Sequence, residues 1–183
     1  MAYKNKTIFN PKTQTAIAFL QTTKDTGGQL LEMEHTYNGH SKEPAPHYHP
    51  NQEEDFTVLS GELSVRIDGH VRVLKQGEQI HIPKNTVHSM WNNSPENTVV
   101  NWKVRPAMET EYFLETAAGL ANDGKTNGSG MPRLLQVALL VSKFKNVFRL
   151  AKPSFPVQLV LFGILTPFAY LAGYRPTYKK YLD

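Results

Sequence analysis

Residues 47–61 read HYHPNQEEDFTVLSG, and residues 77–92 read GEQIHIPKNTVHSMWN. Alternate side chains of a β-strand share a face, so the imidazoles of His47 and His49 are expected to point the same way. Glu54 follows a short turn and heads an apolar run, and His88 opens another β-like run. Three imidazoles and one carboxylate on neighbouring strands predict a metal site with nitrogen and oxygen ligands.

The spacing of these residues resembles the two sequence motifs of the cupin family. The first motif, His-x-His followed by Glu and then by Gly after six residues, is matched by His47, His49, Glu54 and Gly61. The second motif has Gly, Pro, His and Asn at fixed intervals, and is matched by Gly77, Pro83, His88 and Asn92. One position departs from the family pattern: Asn85 replaces a Gly, and Asn tolerates the left-handed backbone conformation that Gly adopts.

The resemblance extends over roughly residues 7–105 and implies that one divalent transition metal is held by His47, His49, Glu54 and His88. Glu53 is an alternative to Glu54, because it also lies within the gap that the family permits after His49. Glu54 is preferred, since it keeps the six-residue spacing to Gly61 and would face the opposite side of the strand from Glu53. The ligand set suits Fe, Mn, Ni, Cu or Zn and does not choose among them.

The residues before the C-terminal third read as short β-strands separated by turn signals. Strict alternation on both sides of Asp68-Gly69 predicts a hairpin. The β-like runs are 15–22, 30–36, 56–60, 63–67, 71–74, 79–82 and 98–104. Such strands predict an antiparallel sandwich or barrel, and the cupin resemblance makes it a double-stranded β-helix, the all-β jelly roll. The remaining histidines, at positions 35, 40, 70 and 81, are interpreted as surface or core residues.

Composition limits the other classes of function. A chain of 183 residues accommodates one domain with an appendage, and its lack of cysteine excludes disulfides and thiolate zinc sites. The N-terminal residues lack an apolar segment of signal-peptide length, so a cytoplasmic location is expected. We therefore predict a cupin barrel at 1–106 and a helical C-terminal extension at 107–183, packed on the barrel or on a dimer partner.

The C-terminal extension differs from the barrel in charge and hydropathy. Residues 131–183 contain eight Lys or Arg and one acid, which gives +7, whereas the whole chain is +4. Helices are predicted at 108–120 and 132–150, the second with an apolar stripe at Leu134, Val137, Val141, Phe144 and Phe148. The basic residues lie among large aliphatic residues without an aromatic stacking platform, so no nucleic-acid partner is expected.

Residues 157–174 are the most apolar segment of the chain and approach the ~20 residues needed to cross a bilayer. Packing of this segment in a homodimer or on the barrel is the favoured interpretation. Peripheral membrane contact through the C-terminal helices is the alternative, because basic residues flank the segment.

Two functions remain open on these observations. The first is a small metal-dependent enzyme, dioxygenase-like, that acts on a small oxygenated or aromatic molecule. The second is a non-catalytic cupin that binds a small ligand and docks on a membrane or partner. If the run after His88 is a strand, Met90 and Asn92 share its inward face and Phe56 shares the face of Glu54. These three residues are the candidates for the substrate pocket.

Overall fold

The computed structural model describes residues 2–182, which form eleven strands, three α-helices and a 3-10 helix at Lys179–Tyr181. The strands are β1 (Thr7–Asn10), β2 (Thr15–Gln21), β3 (Leu31–Tyr37), β4 (His47–Tyr48), β5 (Glu53–Ser60), β6 (Glu62–Ile67), β7 (His70–Lys75), β8 (Gln79–Ile82), β9 (His88–Trp91), β10 (Thr98–Arg105) and β11 (Arg149–Leu150). The helices are α1 (Thr110–Asn122), α2 (Leu134–Phe144) and α3 (Phe155–Leu171).

The strands form two antiparallel sheets that face each other. One sheet has the order β1-β2-β3-β10-β5-β8, and the other has the order β11-β4-β9-β6-β7. Alternate residues of both sheets point inward, so that Phe56 and Val58 of β5 share a buried cluster with Leu63 and Val65 of β6. The predicted jelly-roll barrel with a helical extension is therefore confirmed.

The backbone conformation of two turns explains why the motifs contain Gly at position 61 and accept Asn at position 85. Gly61 has a φ of +77°, and a Cβ at this position would lie 2.6 Å from the carbonyl oxygen of Asn97. Only glycine fits this turn without displacing the backbone. Asn85, which replaces the family's Gly, has a φ of +63°. Asn thus adopts the left-handed conformation that the turn before His88 requires.

The helix predicted at 132–150 is wrong over residues 145–150. α2 ends at Phe144, and the following turn returns the amides of Val147 and Phe148 to the carbonyl of Phe144. Residues 149–150 then form β11, which pairs with β4. Strand pairing satisfies the backbone there, so the helix does not continue. Leu134, predicted to lie on the buried stripe, is instead 59% exposed.

α3 packs on α2 through a few apolar side chains. Phe162 and Leu165 contact Ala138 and Val141 of α2, while most other apolar side chains of α3 face outward. Within residues 2–182, no helix is both long enough and apolar enough for a membrane crossing.

Candidate metal centre

Three histidines converge at one end of the barrel. His47 lies in β4 opposite His88 of β9, and His49 directly follows β4. One potential ligand nitrogen from each ring lies within 4.8 Å of the other two. The alternation of β4 and its pairing with β9 therefore bring together imidazoles that are about 40 residues apart in the sequence.

Each imidazole is oriented by a backbone carbonyl. The Nδ1 atoms of His47, His49 and His88 lie 3.2, 2.7 and 3.0 Å from the carbonyl oxygens of Ala45, Val147 and Thr86 respectively. A carbonyl oxygen only accepts hydrogen bonds, so each Nδ1 carries a proton, and in the neutral imidazole Nε2 keeps a free lone pair. This tautomer is the one in which Nε2 can bind a metal.

Glu54 reaches the histidines from the opposite sheet. Its Oε2 atom lies 2.9 Å from His88 Nε2 and 3.4 Å from His49 Nε2, and its Oε1 accepts a hydrogen bond of 2.9 Å from the indole of Trp102. Glu53 lies on the other face of β5, half-buried and away from the imidazoles. The structure thus brings the preferred carboxylate to the cluster.

Two polar atoms in the cluster have no partner within residues 2–182. Glu54 Oε2 and His49 Nε2 are both buried and accept no hydrogen bond. A buried polar atom without a partner is costly, and two lone pairs at this separation repel unless a cation lies between them. These donors fit a divalent metal that prefers nitrogen and oxygen ligands.

Burial and neighbouring charges set the protonation of these groups. Burial opposes ionisation of Glu54, but the neighbouring His49 and His88 lower the pKa of its carboxyl to about 2. Burial, together with His88 and His49, lowers the pKa of His47 to about 3. Burial also favours neutral His88, while the adjacent Glu54 carboxylate outweighs it and raises the pKa of that imidazole. At neutral pH the cluster therefore contains an anionic carboxylate and a neutral His47.

A cavity of about 350 Å³ opens on the cluster and is lined mostly by apolar side chains. The barrel contributes Phe56, Met90 and Trp102, two of which were predicted pocket residues. The helical extension contributes further apolar side chains, including Phe113 of α1, Leu140 and Val141 of α2, and Phe148 after α2. A cavity of this size and character suits a small apolar or aromatic molecule.

Asn92, the third predicted pocket residue, lies outside the cavity lining. Its buried amide nitrogen donates to the carbonyls of Tyr37, Asn38 and Glu96, and its side-chain oxygen accepts from Ser94. The side chain therefore holds the loop after β9 in place.

His35 is a cavity residue that the sequence reasoning did not single out. Its ring stacks on Trp102 at 5.8 Å and lies 4.0 Å from Tyr37. Both ring nitrogens are buried without a hydrogen-bond partner in the described residues, and burial lowers the pKa of the imidazole to about 3. His35 lies on β3 two residues before the buried Tyr37, so strand alternation predicts that its side chain points inward like the core residues. This alternation is the feature of the sequence that indicates a buried position.

The sequence model of the cupin domain matches residues 33–102. Among curated proteins, a protein of Aquifex aeolicus is 41% identical over 49 residues, which are 27% of this chain and 40% of that protein. An oxidoreductase of Arthrobotrys oligospora is 27% identical over 151 residues, which are 72% of this chain and 59% of that protein. The chain thus spans less than two thirds of the length of either relative.

Two solved structures are similar to this chain over part of its length. A protein of Klebsiella pneumoniae with a double-stranded β-helix domain is 25% identical, with a TM-score of 0.44 over 50% of this chain and 76% of that chain. An RmlC-like cupin of Shewanella frigidimarina is 20% identical, with a TM-score of 0.49 over 61% of this chain and 94% of that chain. Together with the motif residues and the two facing sheets, the match shows that residues 33–102 of this chain form a cupin domain.

Proposed function

We propose that His47, His49, His88 and Glu54 bind one divalent transition metal, and that the protein is a metal-dependent oxidoreductase. The observation that carries this proposal is the pair of buried, unpartnered donor atoms, Glu54 Oε2 and His49 Nε2, at the floor of the cavity. Fe, Mn, Ni, Cu and Zn all suit this donor set. A metal held by these residues would supply Lewis-acid polarisation of an oxygen donor of the substrate and, if redox-active, dioxygen chemistry.

The side chains around the donors define the substrate that the site favours. Phe56 and Trp102 stack at 5.6 Å with an interplanar angle of 14°, which presents an aromatic wall beside Glu54. The helical extension closes the other side with aliphatic and aromatic residues, so water is displaced when an apolar molecule enters. We infer that the substrate is a small, mainly apolar or aromatic molecule with at least one oxygen donor.

Two side chains with polar groups shape this cavity: Trp102 orients Glu54, and His35 offers hydrogen bonds to a substrate. Trp102 holds Glu54 through Oε1, which leaves Oε2 directed at the imidazoles. His35, neutral because burial lowers its pKa, offers one donor and one acceptor beyond the indole. A substrate that carries a second polar group, on the side away from the metal ligands, is therefore favoured over a plain hydrocarbon.

The oxidoreductase class is also supported by the relative from Arthrobotrys oligospora, whose similarity covers 72% of this chain. The alternative is a cupin that binds a small ligand without converting it. The apolar cavity serves either function, and turnover distinguishes them. A homodimer and a cytoplasmic location stay predictions from the sequence.

The test is oxygen uptake by the full-length protein, loaded anaerobically with Fe(II) and mixed with catechols, diketones, flavonoids or small thiols. We expect uptake with at least one aromatic or diketone class, and its loss in His47→Ala. The His70→Ala variant changes an exposed residue of β7 and serves as the matched control. Tight binding of a compound without uptake would establish the binder, and uptake that persists in His47→Ala would separate the activity from this site.

A further inference from the structure

The outer face of α3 is an extended apolar surface that nothing in the described chain covers. Eight large apolar residues of this helix are exposed: Val157, Leu159, Val160, Leu161, Ile164, Phe168, Tyr170 and Leu171. Exposed fractions reach 65% at Val160 and 86% at Leu171. A contiguous patch of this kind on one chain indicates a surface that contacts a partner or a membrane.

The polarity of α3 is reversed relative to that of a helix on a water-facing surface. Its two polar residues other than Tyr170 turn inward: Gln158 is buried, and Thr166 is half-buried. The Gln158 amide donates to the carbonyls of Leu150 and Pro153, at 2.8 and 2.7 Å. The Thr166 hydroxyl donates to the carbonyl of Phe162 at 2.7 Å. The outward residues have no charge to solvate, so water is an unfavourable neighbour for this face.

The width of the apolar face favours lipid over a protein partner. On a helical wheel of 3.6 residues per turn, the exposed apolar side chains of α3 occupy an arc of about 200°. Leu159 lies at one edge of this arc and Leu161 at the other. A second helix or sheet contacts a narrower stripe of a helix than this. Acyl chains surround whatever surface is immersed in them, and a helix that lies in the membrane interface buries its apolar side in this way.

Charge at the ends of α3 is complementary to an anionic membrane. Lys152 precedes the helix, and Arg175, Lys179 and Lys180 follow it, while residues 149–182 contain no acid. Lys152 and Lys179 are exposed. Basic residues beside an inserted apolar helix gain from anionic lipid headgroups, whereas they would add repulsion between two copies of this chain.

α3 is also continuous with the cavity wall. Phe162 and Leu165 pack against a layer of side chains that also lines the cavity: Val137, Val141, Phe148 and Leu150. One layer of side chains thus separates the outer helix from the apolar cavity. A membrane on the outer face would place the cavity beside a source of apolar molecules.

We propose that α3 is a membrane-docking helix, which lies in the interface of an anionic bilayer with its outer face among the acyl chains. Lys152 and Lys179, which flank α3 and are exposed, contact the anionic headgroups. This surface acts independently of what the metal centre does.

The experiment is sedimentation of the full-length protein with vesicles of phosphatidylcholine alone or of phosphatidylcholine and phosphatidylserine at about 7:3, at low and high salt. We expect binding to the anionic vesicles that weakens as salt rises, because salt screens the headgroup charge. The variant Val160→Gln/Ile164→Gln/Phe168→Gln changes exposed positions only and is expected to lose more than about a hundredfold in vesicle partitioning. The variant Lys152→Gln/Lys179→Gln is expected to lose about 25-fold on anionic vesicles.

The matched control is Val71→Gln/Val73→Gln, which removes two apolar residues of equal 49% exposure from β7 on the barrel. This control is expected to bind vesicles like the parent chain. Circular dichroism checks that all variants keep their fold, and analytical ultracentrifugation gives their oligomeric state. Failure of the parent chain to bind anionic vesicles, or equal binding by the α3 variant, overturns the proposal. A dimer that the α3 variant dissociates, without vesicle binding, would assign the face to a second copy of this chain instead.

Discussion

His49 donates its Nδ1 proton to the carbonyl oxygen of Val147, 2.7 Å away and 98 residues later in the chain. This hydrogen bond connects the barrel's histidine cluster to the segment that follows α2. The same segment contains β11, which pairs with β4, and the amide of Ala151 donates to the carbonyl of Pro46. The helical extension therefore helps to fix the orientation of two of the three imidazoles.

Metal binding is expected to stabilise the segment after α2. A cation that holds His47 and His49 restrains β4, and β4 in turn holds β11 through backbone hydrogen bonds. Hydrogen exchange of the full-length protein with and without Zn²⁺ measures this effect. We expect slower exchange at residues 147–151 and no change at the β1–β2 hairpin, which lies at the far edge of the other sheet. Equal exchange of residues 147–151 in both states would show that the segment and the cluster are uncoupled.

The two adjacent acids of β5 provide a sharp test of the fourth ligand. Glu54→Gln is expected to weaken metal binding by at least about tenfold, because loss of a supporting partner alone costs about 10- to 100-fold. Glu53→Gln, on the opposite face of the strand, is expected to leave the affinity unchanged. Trp102→Phe removes the hydrogen bond to Glu54 Oε1 and should fall between them. Competition against a chelating dye measures the three dissociation constants, and a stronger effect at Glu53 would reverse the assignment.

His35 is expected to make the fold less stable in mild acid. Burial lowers its pKa in the folded protein to about 3, below the value of 6.5 of a free imidazole. The unfolded chain therefore binds a proton that the folded chain does not bind, and stability falls as the pH drops below 6.5. The loss between pH 7 and pH 5.5 is about 1 kcal/mol for this one group.

Urea unfolding of the parent chain and of His35→Phe at both pH values isolates this contribution. The parent chain should lose more stability than the variant, because other groups titrate alike in both. Identical pH dependence in the two proteins would mean that His35 is protonated as easily in the fold as outside it.

Asn92 is expected to matter for stability and not for the metal. Its fully buried side chain satisfies the carbonyls of Tyr37, Asn38 and Glu96, and Asn92→Ala would leave these groups with fewer partners. The expected loss is about 1–3 kcal/mol in the free energy of unfolding. Thermal unfolding and metal titration of the same variant separate the two effects, and a large change in metal affinity would give Asn92 a role in the site.

The parts of this fold that the sequence predicted are those with a local pattern. Alternation in β6 and β7 and the motif spacing around His49 and His88 depend on residues a few positions apart, so they identify the barrel directly. β11 contains two residues and has no period of its own. It exists because β4 offers an unpaired edge, which is a tertiary effect that no local pattern contains.

The same distinction applies to the candidate site. The side chains of His47, His49, Glu54 and His88 follow from the motif, whereas the partners that orient them come from distant segments. The Val147 carbonyl carries no side-chain signal, and a helical pattern extended through it. The alternation of β3 predicts that His35 points inward, but the extent of its burial depends on Trp102 of another strand. Likewise, the apolar stripe of α2 indicated a buried face without showing that this face lines the cavity.

The metal content of the full-length protein tests the central claim most directly. Elemental analysis of protein prepared without an affinity tag, or reconstituted with Fe, Mn, Ni, Cu or Zn, is expected to give about one transition metal per chain, since the three imidazoles form a single cluster. His88→Ala should lose most of this metal, whereas His70→Ala should retain it. A parent chain that binds none of the five metals, or equal metal content in the two variants, would contradict the assignment of the metal centre.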